Sequence, residues 1–467
     1  MSQRFDLIVI GAGSGGYAAA RTARELGASV ALVDRGPLGG LCILRGCMPS
    51  KTLIATGDLM HAIRGSGQLA VEVGPPTVDY RALAARKREL VADWADYRIA
   101  GIDTFPTFTG EPVFESPTRL RVGDQVLHAP RFVIATGSRI APPAVPGLVE
   151  AGFIDSDDAL DLDAPPKSMI VLGGGYVSSE LGQFFHRVGV ETTMVLRAGH
   201  LLSGEDHDVG LALTSYLREE GIRIETSAAV RHVSVDKDGM KVVHFTRDGV
   251  EHTVAAEQIF YALGRIPNVD GMDLGAAGVA YHEITGITVD QTLRTSNPNI
   301  FAVGDVTAQY PLVHVAIQQG EVAGRNAATG GDEAVDYRIS KTHTVFTDPQ
   351  VAIVGETERE LQKAGIPYLS ASYPFAEHGK AVALGRTKGF VKMLASPADG
   401  TILGAAILGP EASDLIEPLI VAMSFDATVQ QYMRIPHLHP TLVEILTYPA
   451  EELAERISTS PALAVAK

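Results

Sequence analysis

An α/β protein with two Rossmann-like dinucleotide-binding domains and a C-terminal α+β domain is predicted by three features of the sequence. The glycine-rich turn Gly11-Ala12-Gly13-Ser14-Gly15-Gly16 lies between an apolar strand and an Ala-rich helix near the N-terminus. The same strand, turn and helix plan recurs over residues 168 to 197. After residue 335 the pattern changes to mixed helix and strand segments, beginning with HTVFTDPQVAIVG.

Each glycine turn follows a strand and opens a helix, as pyrophosphate binding demands. Gly11, Gly13 and Gly16 let the backbone approach the phosphates, whose charge then rests on the positive end of the helix. The first unit runs on to the strand SVALVD and ends at Asp34, an acid able to accept from a ribose hydroxyl, as in FAD. In the repeat, the strand SMIVL leads into Gly173, Gly174 and Gly175, and TTMVL ends beside Arg197. An arginine there suits a 2′-phosphate and biases the second unit toward NADP(H) over NAD(H). Leu196 removes the usual acid and Ser178 replaces the third glycine, both in the same direction. Ser203 supplies no second arginine, and Arg197 read alone is also a solvated surface residue.

Between the units, FVIATGS ends a buried-type strand at Gly137, and PPAVPG makes a proline-rich connection. FYALGR ends a later strand at Gly264, and NIFAVGD ends another at Gly304 and Asp305, so the chain is expected to revisit its first domain.

A chain of 467 residues is too long for one core and is expected to divide into about three domains. Its net charge of −16 offers phosphate backbones and anionic lipid surfaces no electrostatic attraction, so neither a nucleic acid nor a membrane partner is expected. No apolar run is long enough for a bilayer, and FDLIVIGAG begins too early to leave space for a signal peptide, which places the protein in the cytoplasm.

The sequence has two cysteines, Cys42 and Cys47, in CILRGC. A cytosolic pair this close points to redox or metal chemistry. The segment from Gly39 to Lys51 contains no His, Asp or Glu, so no metal site is expected and redox chemistry is the better reading. Oxidised, the two would close a disulfide. Reduced, they need a thiolate of lowered pKa, and Arg45 and Lys51 are both able to stabilise negative charge; a buried unreactive pair is the alternative. Near the C-terminus, HLHPTLVEIL sets Glu444 five residues after His439, on a helix started by Pro440. A carboxylate there would orient the imidazole as acid/base for a thiol, whereas His437 reads as loop support or surface.

The succession GAGSGG, GLCILRGCMPSK, ATGS, GGGYVSSELG, IFAVGD, VFTDP and HLHPTLVE, in this order and spacing, resembles the class I pyridine nucleotide-disulfide oxidoreductases of the dihydrolipoamide dehydrogenase and glutathione reductase type. The resemblance spans essentially the whole chain. It implies an FAD domain over 1–147, an NAD(P) domain over 148–265, a central segment over 266–335 that completes the FAD domain, and an interface domain over 336–467. It further implies a homodimer whose active site is shared between subunits, acting on a small dithiol or disulfide or a lipoyl carrier.

By motif, Cys42 resembles the interchange thiol that meets substrate, and Cys47 the thiol facing the flavin. His439 and Glu444 resemble the acid/base pair given by the partner, and Lys51 and Glu180 the ion pair beside the flavin. Tyr176 resembles the tyrosine gating the nicotinamide pocket, Asp305 the ligand of the ribityl chain, and Arg21 a substrate-binding arginine of the glutathione reductase branch, though Arg21 also reads as an exposed helix residue. Two branches follow: a dihydrolipoamide-dehydrogenase-like enzyme, or an NADPH-dependent disulfide reductase with electrons running the other way. The sequence departs from the family where the usual Gly-Gly-Thr-Cys becomes Gly39-Gly40-Leu41-Cys42 and the usual Asn-Val becomes Leu44-Arg45. These changes flank the disulfide and are expected to bear on its potential or partner. With no further cysteines, a mercuric reductase is not expected.

Overall fold

The computed structural model describes residues 2–459; Met1 and residues 460–467, assigned above to the ends of the first and last domains, lie outside them. A five-stranded parallel sheet forms the first unit, in the order Ile300–Ala302, Arg131–Ile134, Leu7–Ile10, Val30–Asp34, Thr107–Thr109. Its middle strand, Leu7–Ile10, is apolar and buried at every position because both faces are covered. Ile8, Ile10, Val33 and Phe132 enter one core, while Leu7, Val9, Leu32 and Val133 enter the core on the opposite face. Each such side chain, taken fully out of water, contributes on the order of 2 kcal/mol. The edge strand Ile300–Ala302 comes from the far side of the second glycine turn, so the chain does return to its first sheet.

The returning segment continues as the helix Val313–Thr329, which lies against the helix Ser14–Glu25 that follows the first glycine turn. Glycines make the close approach possible. A Cβ added at Gly320 would stand 2.2 Å from the Gly15 carbonyl oxygen, and one at Gly324 2.6 Å from that of Ala19.

The second unit repeats the plan with the parallel order Arg223–Glu225, Glu191–Val195, Ser168–Leu172, Gln258–Tyr261. An antiparallel meander, Ala229–Val235, Lys241–Arg247 and Val250–Ala256, covers one face. Two short antiparallel strands, Ser138–Ile140 and Arg265–Pro267, pair where the chain crosses between the units. The C-terminal domain is a five-stranded antiparallel sheet with helices packed on it, in the order His343–Val345, Gln350–Gly355, Ile402–Gly409, Phe390–Ala395, Leu369–Pro374.

Buried charge ties these parts together. Arg187, 1% exposed, donates to Glu220 at 2.6 Å, to Asp58 at 2.6 Å and to Asp348 at 2.9 Å, joining two further helices and the bend before the strand Gln350–Gly355. Asp58 belongs to the helix Cys47–Arg64, so the cluster anchors the helix that carries the second cysteine. Among the described residues, the one acidic group close enough to hold a metal, Asp206, Asp208 and Glu358, is filled by the Lys392 ammonium at 2.7, 2.8 and 3.0 Å. No helix among them is long and apolar enough to cross a membrane.

Candidate active site

The first glycine turn is shaped by close contacts that exclude a side chain. At Gly11, where φ is +100°, a Cβ would come within 2.3 Å of the Ala135 carbonyl oxygen, and at Gly16 within 1.8 Å of that of Gly11. The helix that follows begins after Gly13 with no side chain capping its first amides, which are left for a ligand. Asp34 holds the turn from the adjacent strand: its carboxylate accepts from the Ala12 and Gly36 amides at 2.7 Å each. Further lone pairs remain for a ribose hydroxyl.

Gly11, Gly13, Asp34, Gly40 and Gly137 line one cleft of about 420 Å³. A dinucleotide with a free adenosine ribose fits this donor set. Asp305 accepts from the Ser138 hydroxyl at 2.7 Å, and the Arg265 guanidinium donates to that same hydroxyl at 3.0 Å.

The second turn differs at its acid position. Leu196 packs so closely on the turn that a Cβ at Gly174 would lie 2.6 Å from its Cδ1, and Arg197 is exposed just beyond. Gly173 sits at φ +132°, Gly264 at φ +116°, and the helix Tyr176–Arg187 again starts without a side-chain cap, after Gly175. Ser178 is fully buried and returns its hydroxyl to the Gly175 carbonyl at 2.9 Å, so a serine is accommodated at the third glycine position.

Cys42 lies in the short helix Leu41–Arg45, and Cys47 is the first residue of the helix Cys47–Arg64. Both are half-buried thiols. The Cys42 side chain hydrogen-bonds to Cys47 and, with help from the Lys51 charge against the cost of burial, brings the Cys47 thiol down to about 7. Cys42 moves the opposite way, held protonated by that hydrogen bond and by burial. Negative charge therefore collects on Cys47, at a helix N-terminus that favours it.

Lys51 Nζ donates to Glu180 Oε2 at 2.7 Å, joining the cysteine helix to the helix that opens at Tyr176. Two contacts that the sequence did not announce steady this pair. The Phe346 amide donates to Glu180 Oε1 at 2.8 Å, and the Phe346 ring lies 4.6 Å from the Lys51 ammonium.

Tyr176 is four residues before Glu180 on the same helix, and its hydroxyl donates to Glu205 Oε1 at 2.5 Å. His343 Nε2 meets that same oxygen at 3.0 Å. Neither Glu205 nor His343 belongs to a recognisable motif. They meet Tyr176 only because a loop of the second unit and the first strand of the C-terminal sheet converge there.

His439 Nδ1 lies 2.9 Å from Glu444 Oε1, which leaves Nε2 free as a base. The helix here runs over Leu442–Leu446 and is started by Thr441, whose side chain and that of Glu444 cap reciprocally. Pro440 stands outside it, contrary to the expectation from sequence, because a threonine followed at the third position by glutamate makes the stronger cap. The Thr441 amide, and next His439, hold the Glu444 carboxyl below its ordinary range. The His439 side chain is 82% exposed, beside Leu438 at 77%.

Other expectations are redirected by the structure. Arg45 does not act on the thiols: it turns to Asp157, 3.4 Å away, and with Leu41 and Leu44 lines the dinucleotide cleft. The cation that acts on Cys42 is Arg98, from the helix Tyr80–Ile102, a residue no motif marks. Arg21 lies exposed, paired with Glu25 at 3.6 Å and Glu321 at 3.4 Å.

A glycine cradle for one dinucleotide, a second uncapped turn and a thiol pair between them define a class of flavin-dependent disulfide oxidoreductases. The chain belongs to the pyridine nucleotide-disulphide oxidoreductases: residues 5–320 match that family and residues 342–450 its dimerisation domain. It is 35% identical to a dihydrolipoyl dehydrogenase of Geobacillus stearothermophilus, covering 96% of this chain and 95% of the relative. A mercuric reductase of Streptomyces lividans is 32% identical, with 97% of each covered. The solved Cu(II) complex of the HOCl-induced flavoprotein disulfide reductase RclA from Escherichia coli superposes with a TM-score of 0.83 at 25% identity, over 98% of this chain and 99% of that one. The protein is accordingly an FAD-dependent dithiol/disulfide oxidoreductase that uses a pyridine nucleotide and forms a homodimer.

Proposed function

We propose that the protein oxidises a small dithiol or lipoyl carrier in the manner of a dihydrolipoyl dehydrogenase, with Cys42 as the thiol that meets substrate. The observation that carries this reading is the unequal pair of thiols, Cys47 easily ionised and Cys42 not, with Lys51 and Glu180 behind the first. A substrate thiolate attacks Cys42 Sγ, the Cys42–Cys47 bond breaks, and Cys47 leaves as a thiolate steadied by the Lys51 charge. The substrate's second thiolate then displaces Cys42, closing the substrate disulfide. His439 of the partner, oriented by Glu444, takes the protons that the substrate thiols lose. Bound FAD would supply the two-electron relay between the protein dithiol and the nicotinamide.

Gly11, Gly13, Gly16, Asp34, Gly137 and Asp305 would hold FAD. Gly173, Gly175, Tyr176 and Gly264 would border the nicotinamide nucleotide, with Arg197 and the missing acid at Leu196 favouring NADP(H). The pairing of Arg21 with two glutamates leaves it poorly placed to bind glutathione disulfide, which favours the dehydrogenase over the reductase branch. The absence of further cysteines from the sequence disfavours mercuric ion as substrate. The acidic surface fits a cytoplasmic enzyme with neither nucleic acid nor membrane partner.

Anaerobic turnover of dihydrolipoamide with NAD+ and with NADP+, run beside NADPH oxidation by glutathione disulfide, tests this reading. Fast dihydrolipoamide oxidation is expected. Turnover confined to glutathione disulfide would replace it with the reductase branch.

A further inference from the structure

Where the family pattern that the chain resembles has Thr and Asn-Val, this chain has Leu41 and Leu44-Arg45, two apolar residues and a charge. All three face the cleft that the first glycine turn lines, and Arg45 is half-exposed within it. The segment reaches the turn directly, since a Cβ at Gly40 would stand 2.7 Å from the Gly13 Cα.

Several charges of the cleft are committed. Arg139 is bonded to Asp270. The Asp34 carboxylate is taken by backbone amides. Arg265 spends Nε and Nη2 on Ser138, at 3.0 Å each. Two arginines are loosely held, Arg35 at 3.9 Å from Glu111 and Arg45 at 3.4 Å from Asp157, both long for a charge-assisted hydrogen bond, and Arg45 is the one on the cysteine segment that touches the glycine turn. Four arginines thus stand against four carboxylates in the lining, leaving no net charge to meet an anionic ligand.

Two guanidiniums converge here as well. Arg45 and Arg265 reach the cleft from different segments, both are felt by Asp157, and the Arg45 charge disfavours that of Arg265. Such a convergence around one carboxylate is a site for a second, stronger anion.

We propose that Arg45, set between the two cysteines, binds the pyrophosphate of FAD together with Arg265 and the uncapped start of the helix Ser14–Glu25. Asp157 is the stand-in that Arg45 gives up when the cofactor enters. The contact supplies the polar group that Leu41 and Leu44 cannot. It also pins the short Cys42 helix to the cofactor, so cofactor binding and the placement of the thiol pair are linked. This inference rests on reading the cleft as the FAD site.

The test is the rate of FAD release from purified holoenzyme, followed by flavin fluorescence at several salt concentrations, for wild type, Arg45→Ala, Arg45→Lys and Asp157→Asn. Arg45→Ala is expected to release FAD at least about tenfold faster, with a weaker salt dependence, and Arg45→Lys to recover most of the loss. Asp157→Asn removes the competing carboxylate and is expected to slow release, a change of opposite sign that general destabilisation does not produce. Release from Arg45→Ala within about twofold of wild type, or faster release from Asp157→Asn, would overturn the proposal. Were the wild type itself to bind no FAD in this cleft, the reading of the site would fall, an outcome distinct from equal release by all four proteins.

Discussion

Cys47 and Cys42 are chemically alike and five positions apart, yet their surroundings separate them. One thiol donates to the other, so the acceptor becomes the easier to ionise, and the Lys51 ammonium deepens the difference. The sign is direct: Cys47 is a thiolate above about pH 7 and a thiol below it. Alkylation of the reduced enzyme, mapped by mass spectrometry, is expected to show Cys47 reacting with a midpoint near that pH. Lys51→Met removes the helping charge and should move the midpoint upward; an unchanged midpoint would mean that the lysine does not act on the thiol. The residue types and spacing made Cys42, Cys47, Lys51 and the His439–Glu444 pair legible in the sequence. The direction of Arg45 was not. Each residue of a helical turn rotates the next side chain by about 100°, so only the phase of the Leu41–Arg45 helix decides whether position 45 faces sulfur or the cleft.

At the scale of elements, the glycine turns were readable because strand, turn and helix are contiguous and a close approach of the backbone to phosphate calls for glycine. What was not readable is the packing of the helix Ser14–Glu25 on Val313–Thr329, whose glycines lie some three hundred positions apart in the chain. No local pattern announces that Gly320 must be bare. Its role follows from the Gly15 carbonyl that occupies the space, and Gly15 lies in the first turn of the helix whose uncapped amides are proposed to face FAD. Gly320→Ala should therefore force the helices apart, costing roughly 1–3 kcal/mol in thermal unfolding and loosening FAD. Gly67, which faces open space, is the matched control and should tolerate alanine. Equal melting temperatures for the two variants would show that the crossing yields more easily than its geometry implies. The contacts of Phe346, Glu205 and His343 were hidden for the same reason, because the strand His343–Val345 meets the Lys51 and Tyr176 helices only after the C-terminal domain has docked.

On the scale of the whole molecule, the first two units supply the thiols and dinucleotide turns, while the C-terminal sheet supplies an imidazole that points into solvent. An acid/base group is of no use 82% exposed and away from a thiol. Exposed apolar side chains of the C-terminal domain, Leu438 beside it at 77% and Phe425 at 81%, are of the kind a partner covers. We propose that in a homodimer with two-fold symmetry each His439 serves the thiol pair of the other subunit, so that two sites form across one interface. Mixing tests this without any assumption about substrate. A His439→Gln subunit retains its own thiols and a Cys42→Ser subunit retains its own histidine, so each homodimer should be nearly inactive. The heterodimer recombines one intact histidine with one intact thiol pair and is expected to recover about half of the wild-type activity per dimer, since one of the two sites is whole. If His439 served its own chain instead, the heterodimer would contain a defect in both sites and stay as inactive as its parents, and the shared-site arrangement would have to be abandoned.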